Sequence, residues 1–343
     1  MMKKTALLVC PGRGTYNKTE LGYITKLLKD AALLAKFDAV RARQALPTVS
    51  ELDQQAVFSR TMHLKAENAA ALIFAAGIND YHCIDTEQFE IVAVTGNSMG
   101  WYTALGCAGA LSPEKGMQLV SDMAMLTADG AGAQFIYPVI DDNWQPDKTR
   151  QALVDAQLKR HHGKLFMSIV YGGYAVMAGT TDAVKAAMAE LPPCDDRFPL
   201  LLPGHAAFHT ELMQQASDKA LTMWPPTEFN SPQIPLIDGR GHIWPALGAN
   251  LTQLQQYTLQ HQVCQAYDFS LALQVAVKEF APDHIILCGP GMSLGGAVAQ
   301  SLISIGWHGL GCKQDFALAQ QQPFPFVISM GDPQQRRYCT SDD

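Results

Sequence analysis

Short apolar, β-branched runs alternate along the chain with longer stretches in which apolar positions recur at helical spacing. The runs Ala6 to Cys10, Ile91 to Thr95, Leu165 to Val170, Ala175 to Ala178 and His284 to Cys288 read as strands. Each is too short for a stable helix, and most are rich in Val, Ile and Leu, as strands covered on both faces are. Between them, Glu20 to Phe37, Glu51 to Gly77, Pro113 to Ala128, Asp182 to Leu191 and Thr210 to Met223 have helical length and spacing, and most end near Gly or Pro. Strands alternating with helices predict an α/β fold on a largely parallel sheet.

The stretch Gln134 to Leu201 keeps its own rhythm, roughly strand, helix, strand, helix, strand. Turn and small residues flank it, Asp129-Gly130-Ala131-Gly132 on one side and Leu202-Pro203-Gly204 on the other. The pattern predicts a small subdomain over 131–201 inserted into a discontinuous core of 1–130 and 202–312, with a C-terminal tail over 313–343. That tail is rich in Gln and Pro. Its Phe residues are expected to dock while its polar end frays.

Composition narrows the class. At 343 residues the chain can bury a sizeable core, and 48% hydrophobic with 17% charged residues fits a globular protein. No apolar run is long enough for a spanning helix, so no membrane role is expected. The opening MMKKTALLVC imitates a signal peptide, but its apolar run is brief and no A-x-A site follows, so it reads as a buried first strand. The eight cysteines are scattered without a C-x-x-C pair, which argues against zinc or dithiol chemistry and for a reduced cytoplasm. A net charge of −7 without a Lys/Arg block argues against nucleic acid.

The strongest chemical signal is Gly96-Asn97-Ser98-Met99-Gly100, a G-x-S-x-G between an apolar strand and a small-residue helix. A sharp turn there exposes the serine oxygen above the sheet, and the flanking glycines let neighbouring backbone pass without a Cβ clash. A plain Gly-rich turn can carry the same letters, but the strand-turn-helix context makes Ser98 the expected nucleophile. Pro11-Gly12-Arg13-Gly14-Thr15 ends the first strand and lacks the G-K-[ST] of a phosphate loop. Paired with Ser98 it suggests an oxyanion hole made by the backbone N–H groups of Arg13 and Met99.

P-G-x-G near the N-terminus, G-x-S-x-G-x-Y-x-A-L about 85 residues later and F-H-[ST]-x-L-M downstream form an ordered series. They stand here as Pro11 to Gly14, Gly96 to Leu105 and Phe208-His209-Thr210-Glu211-Leu212-Met213, with a late Gly289-Pro290-Gly291. In this the chain resembles the malonyl-CoA:acyl-carrier-protein transacylase family over about residues 5 to 305. The resemblance implies a hydrolase-like α/β core interrupted by a small ferredoxin-like α+β subdomain, with the active site between them. It implies a dyad of Ser98 and His209 whose imidazole is oriented by the main-chain carbonyl of Gln262. It also implies acyl-CoA and a phosphopantetheinyl acyl carrier protein as substrates and partners, with no tightly bound cofactor.

Ser98 needs a neutral imidazole to take its proton and return one to the departing thiol. His205 stands four residues before His209, but Ala206-Ala207-Phe208 offers no Glu base and Pro203-Gly204 suggests a loop. No metal site is therefore expected, and His205 reads as a polar residue near the pocket.

The chain departs from the family where the acyl group is held. Malonyl-specific members carry an arginine 25 residues beyond the serine to bind the free carboxylate; here that position is Met123. An apolar Met cannot compensate a buried carboxylate, so an uncharged acyl group is expected. Asn97 and Trp101 replace residues commonly His and Glu, and Tyr171-Gly172-Gly173-Tyr174 replaces an Asn-containing turn; these residues are expected to shape the acyl pocket. The tyrosines would wall an apolar group or simply close a hairpin. Arg13, where Gln is common, is a substitute anion partner if a carboxylate is bound. Acyl transfer thus competes with thioester hydrolysis through the same dyad and with carrier docking without turnover. An unrelated esterase would instead draw on Asp238 with His284 or His308.

Overall fold

The computed structural model describes residues 3–128 and 130–341. Among these residues, eleven strands form two sheets. In chain order they are β1 (Lys4–Cys10), β2 (Phe89–Gly96), β3 (Ala133–Pro138), β4 (Leu165–Tyr171), β5 (Tyr174–Gly179) and β6 (Leu200–Leu201), followed by β7 (Leu236–Ile237), β8 (Ile243–Trp244), β9 (Tyr267–Asp268), β10 (His284–Leu287) and β11 (Val327–Ser329).

The larger sheet runs β11-β10-β1-β2-β7-β8 and is parallel except for the β7–β8 pair. A parallel sheet must be covered on both faces. Ala6 to Cys10 are accordingly all 0% exposed, and the helix Ala66–Cys83 that packs nearby is buried over nearly its whole length. The alanines from Ala69 to Ala76 are hydrophobic all round, which suits an interior helix.

The second sheet runs β6-β3-β5-β4-β9 and is antiparallel except for the β4–β9 pair. With helices Lys148–Arg160 and Thr181–Glu190 it follows the order strand, helix, strand, strand, helix, strand. It carries its own apolar cluster, including Phe135, Tyr137, Val154, Leu165 and Met177. Its last strand, β9, comes from residues 267–268, well outside the segment expected to build it. Asp129, one of the residues expected to flank that segment, lies outside the described residues.

Three expected elements differ. The span Glu51 to Gly77 is three helices, Val49–Asp53, Arg60–His63 and Ala66–Cys83. The first stops where the Asp53 carboxylate accepts bonds from Tyr16 Oη, Ile24 N, Thr25 N and Thr25 Oγ1, contacts that turn it inward. Glu20 to Phe37 likewise breaks, and Asp30 caps a new helix at Ala31–Arg43 by accepting from Ala32 N and Leu33 N. The tail does more than dock aromatics. It supplies β11 to the large sheet and places Arg336 against the buried carboxylate of Asp80, which also accepts from Tyr23 Oη and Gly289 N.

Candidate active site

Strand β2 ends at Gly96, and the helix Gly100–Cys107 begins four residues later. The chain makes this turn by placing Ser98 at φ 55°, a left-handed conformation strained for a residue with a Cβ. Two glycines permit it. A Cβ on Gly96 would meet Gly100 O at 2.3 Å, and one on Gly100 would meet Cys10 O at 2.3 Å. The end of β1 thus lies directly against the turn and brings Pro11 to Gly14 beside the serine.

His209 is also strained, at φ 58°, and only 4% exposed. Its Nε2 lies 2.7 Å from Ser98 Oγ, and its Nδ1 lies 2.5 Å from Gln262 O. A carbonyl can only accept, so Nδ1 carries the proton and Nε2 presents its lone pair to the serine hydroxyl. The Gln262 side chain braces the same turn: Nε2 donates to Ser98 O at 3.0 Å, and Oε1 accepts from Tyr102 Oη at 3.3 Å. Gln262 directly follows a π-helical turn, Tyr257–His261, a local irregularity often found at functional sites. Burial holds the His209 imidazolium down, to about 4, against a weaker opposing effect of the Gln262 carbonyl. The base is therefore neutral at ordinary pH.

A cavity of about 70 Å³ opens beside the dyad, lined by Met99, Val120, Met123, Phe208 and Val263, with Arg13 at one wall. A larger cleft of about 980 Å³ runs from Ser98 between the two sheets, past Asn97, Gln134, Tyr171, Tyr174 and His205. Arg13 borders both. Among the described residues the backbone N–H groups of Arg13 and Met99 donate to no protein acceptor, leaving both available beside Ser98. The Arg13 guanidinium has no carboxylate within ion-pair distance among the described residues. It makes one long bond, Nη2 to Gly204 O at 3.4 Å, and stands 5.4 Å from the Phe208 ring centre. Burial lowers its pKa to about 10.

The expected pocket residues separate on this geometry. Met123 lines the small cavity and is 3% exposed. Asn97, 9% exposed, borders the larger cleft, and its Oδ1 has no hydrogen-bond partner among the described residues. Tyr171 and Tyr174 face each other across the β4–β5 hairpin and line the larger cleft instead of the small cavity. Trp101 lines neither. It is 0% exposed, donates to Thr258 Oγ1 at 2.9 Å and packs edge-on against Tyr257, so its expected place in the pocket is corrected to the core. Asp238 binds Arg240 and Trp244, His284 binds Pro325 O, and His308 packs edge-on against Trp307 and Phe326, so the residues of the competing esterase arrangement have other neighbours. No group of His, Cys, Asp and Glu among the described residues is arranged to hold a metal ion.

Ala70, Val120, Ala124 and Val263 also border the small cavity. They gave no signal in the sequence beyond helical spacing. Gln134 and Ser168 gave none.

No family model matches the chain. A stretch of 151 residues is 26% identical to the malonyl CoA-acyl carrier protein transacylase of Escherichia coli strain K12, covering 42% of this chain and 46% of that protein. The chain thus spans about half the length of the curated relatives it matches. The fold is shared far more widely. The acyl-carrier-protein S-malonyltransferase of Burkholderia pseudomallei superimposes with a TM-score of 0.73 at 19% identity over 97% of both chains. A type II PKS acyl-carrier protein in complex with its malonyl-transacylase matches at 0.70 and 20% identity, over 88% of this chain and 94% of that one. The mixed α/β architecture is therefore that of the malonyltransferase structures.

Proposed function

We propose that this chain is an acyltransferase of the malonyl-CoA:acyl-carrier-protein transacylase type, working through an acyl-Ser98 intermediate. The observation that carries the reading is the line Ser98 Oγ, His209 Nε2, His209 Nδ1, Gln262 O, with bonds of 2.7 and 2.5 Å. The fold shared with malonyltransferases and the 26% identity to the E. coli enzyme point the same way.

In the first half-reaction Ser98 Oγ attacks the thioester carbon while its proton passes to His209 Nε2. The backbone N–H groups of Arg13 and Met99 hold the oxyanion. The C–S bond then breaks, and the CoA sulfur leaves with the proton from His209. In the second half the phosphopantetheine thiol of an acyl carrier protein gives its proton to His209 and attacks the ester carbon, and Ser98 departs with that proton. The overall sequence is ping-pong. The cleft of about 980 Å³ suits a pantetheine arm, and the malonyl-transacylase solved with its acyl-carrier protein supports the partner. Nothing in this cycle requires a tightly bound cofactor. Eight free cysteines agree with a cytoplasmic setting, and no helix of the described residues is long and apolar enough to cross a membrane.

The transferred group is uncharged on this reading. Met123 offers no partner for a carboxylate in the mostly apolar cavity beside Ser98. A second reading rests on Arg13, whose guanidinium, without an ion-pair partner among the described residues, borders the same cavity and would bind a carboxylate there. Purified protein mixed with acetyl-, butyryl- and malonyl-CoA separates these readings by intact mass. Loading by acetyl or butyryl but not malonyl supports the first, and malonyl loading abolished by Arg13→Gln supports the second. Discharge of the acyl-enzyme by water faster than by holo carrier protein would make the chain a thioester hydrolase.

A further inference from the structure

We propose that Ser168, Gln134 and His205 form a one-way hydrogen-bond relay through which the smaller sheet positions the backbone of His209; the inference rests on the acyl-Ser98 reading. Three bonds compose it. His205 Nδ1 lies 2.7 Å from Gln134 Oε1, Gln134 Nε2 donates to Ser168 Oγ at 2.6 Å, and Ser168 Oγ donates to Phe208 O at 2.8 Å.

The direction follows from the last acceptor. Phe208 O cannot donate, so the single hydroxyl proton of Ser168 points to it, and Ser168 must accept from the Gln134 amide nitrogen. The Gln134 carbonyl oxygen therefore faces His205, whose Nδ1 carries its proton. Nothing in the chain is free to reverse. Gln134 is 2% exposed and Ser168 0%, so breaking one link leaves a buried polar group without a partner.

Two further features single out this relay. Ser168 sits at the register shift between Met167 and Ile169, where β4 bulges against β5. A bulge re-aims a side chain, and this one directs the hydroxyl across the subdomain boundary to the carbonyl next to His209. That carbonyl belongs to the peptide leading into the strained φ of 58°. Gln262 holds the His209 ring; the relay holds the backbone that carries it. Gln134 and His205 also line the cleft, so the same side chains border the space proposed for the thioester arm.

Ser168→Ala and the volume-conserving Gln134→Met test the relay, with folding checked by circular dichroism. The readout is the rate at which a fluorophosphonate labels Ser98 as a function of pH. The titratable and charged groups around His209 are Ser98, His205, Arg13, Tyr102 and Tyr267. A loosened Phe208–His209 backbone admits water and relieves the burial that depresses His209. Both variants are expected to label about tenfold more slowly at pH 7. Their acid limb should move up by about one pH unit. A purely structural role would lower stability but leave that limb in place. Labelling within about twofold of wild type and an unmoved limb in either folded variant overturns the relay alone. An inert Ser98 in the wild-type protein would overturn the acyl-enzyme reading and the relay together.

Discussion

The depressed basicity of His209 makes a prediction that can be worked through in numbers. The imidazole is 4% exposed, and burial brings its pKa to about 4. An ordinary histidine, near 6.5, would be only about 3% neutral at pH 5, whereas a base near 4 is about 90% neutral there. Labelling of Ser98 by a fluorophosphonate should therefore stay nearly flat from pH 7 to pH 5, where an ordinary base would lose about 25-fold. The same group leaves a thermodynamic trace of opposite value to the protein. Below about 6.5 the unfolded chain takes up a proton that folded His209 refuses, so stability falls as pH drops towards 4 and no further below it. At pH 5 the cost is about 2 kcal/mol, from about 1.5 pH units at about 1.36 kcal/mol each. Urea unfolding at pH 7 and pH 5 should show wild type losing about 2 kcal/mol more than His209→Gln, with His205 acting equally in both. An inflection of labelling between pH 6 and 7, or equal losses in the two proteins, would refute the reasoning.

Other consequences are simpler to state. Met123→Arg would place a guanidinium in the cavity beside Ser98, and two charge-assisted bonds should raise malonyl loading relative to acetyl by at least about tenfold, read by intact mass. Gly100→Ala drives a Cβ to 2.3 Å from Cys10 O, which should cost about 1–3 kcal/mol in urea unfolding and displace Ser98 enough to slow labelling severely. Arg336→Met leaves the buried Asp80 carboxylate uncompensated and should cost about 3–5 kcal/mol, measured by urea unfolding, while Ser98 stays reactive in the folded fraction.

What could be read in the sequence was local. The turn at Ser98 is legible because its glycines are required by backbone approaches only a few residues apart or at the end of the adjoining strand. His209 and Gln262 were reached by resemblance, not by spacing, since 111 and 53 residues separate the members of each bond. Trp101 was misplaced because adjacency to a nucleophile does not say which face of the following helix a side chain occupies; its indole found Thr258 in the core. The helix expected to begin at Glu51 and run to Gly77 was interrupted by contacts between Asp53 and residues 16–25, which no local propensity reports. Strand β9 and the Gln134–Ser168 bond are equally non-local, as is the ion pair between Asp80 and Arg336.

The central claim is covalent, and intact mass tests it most directly. Incubated with a panel of acyl-CoAs, the wild-type protein should gain the mass of one acyl group, Ser98→Ala should gain none, and holo acyl carrier protein should remove the adduct faster than water. No adduct from any acyl-CoA, or an equal adduct on Ser98→Ala, would contradict the account.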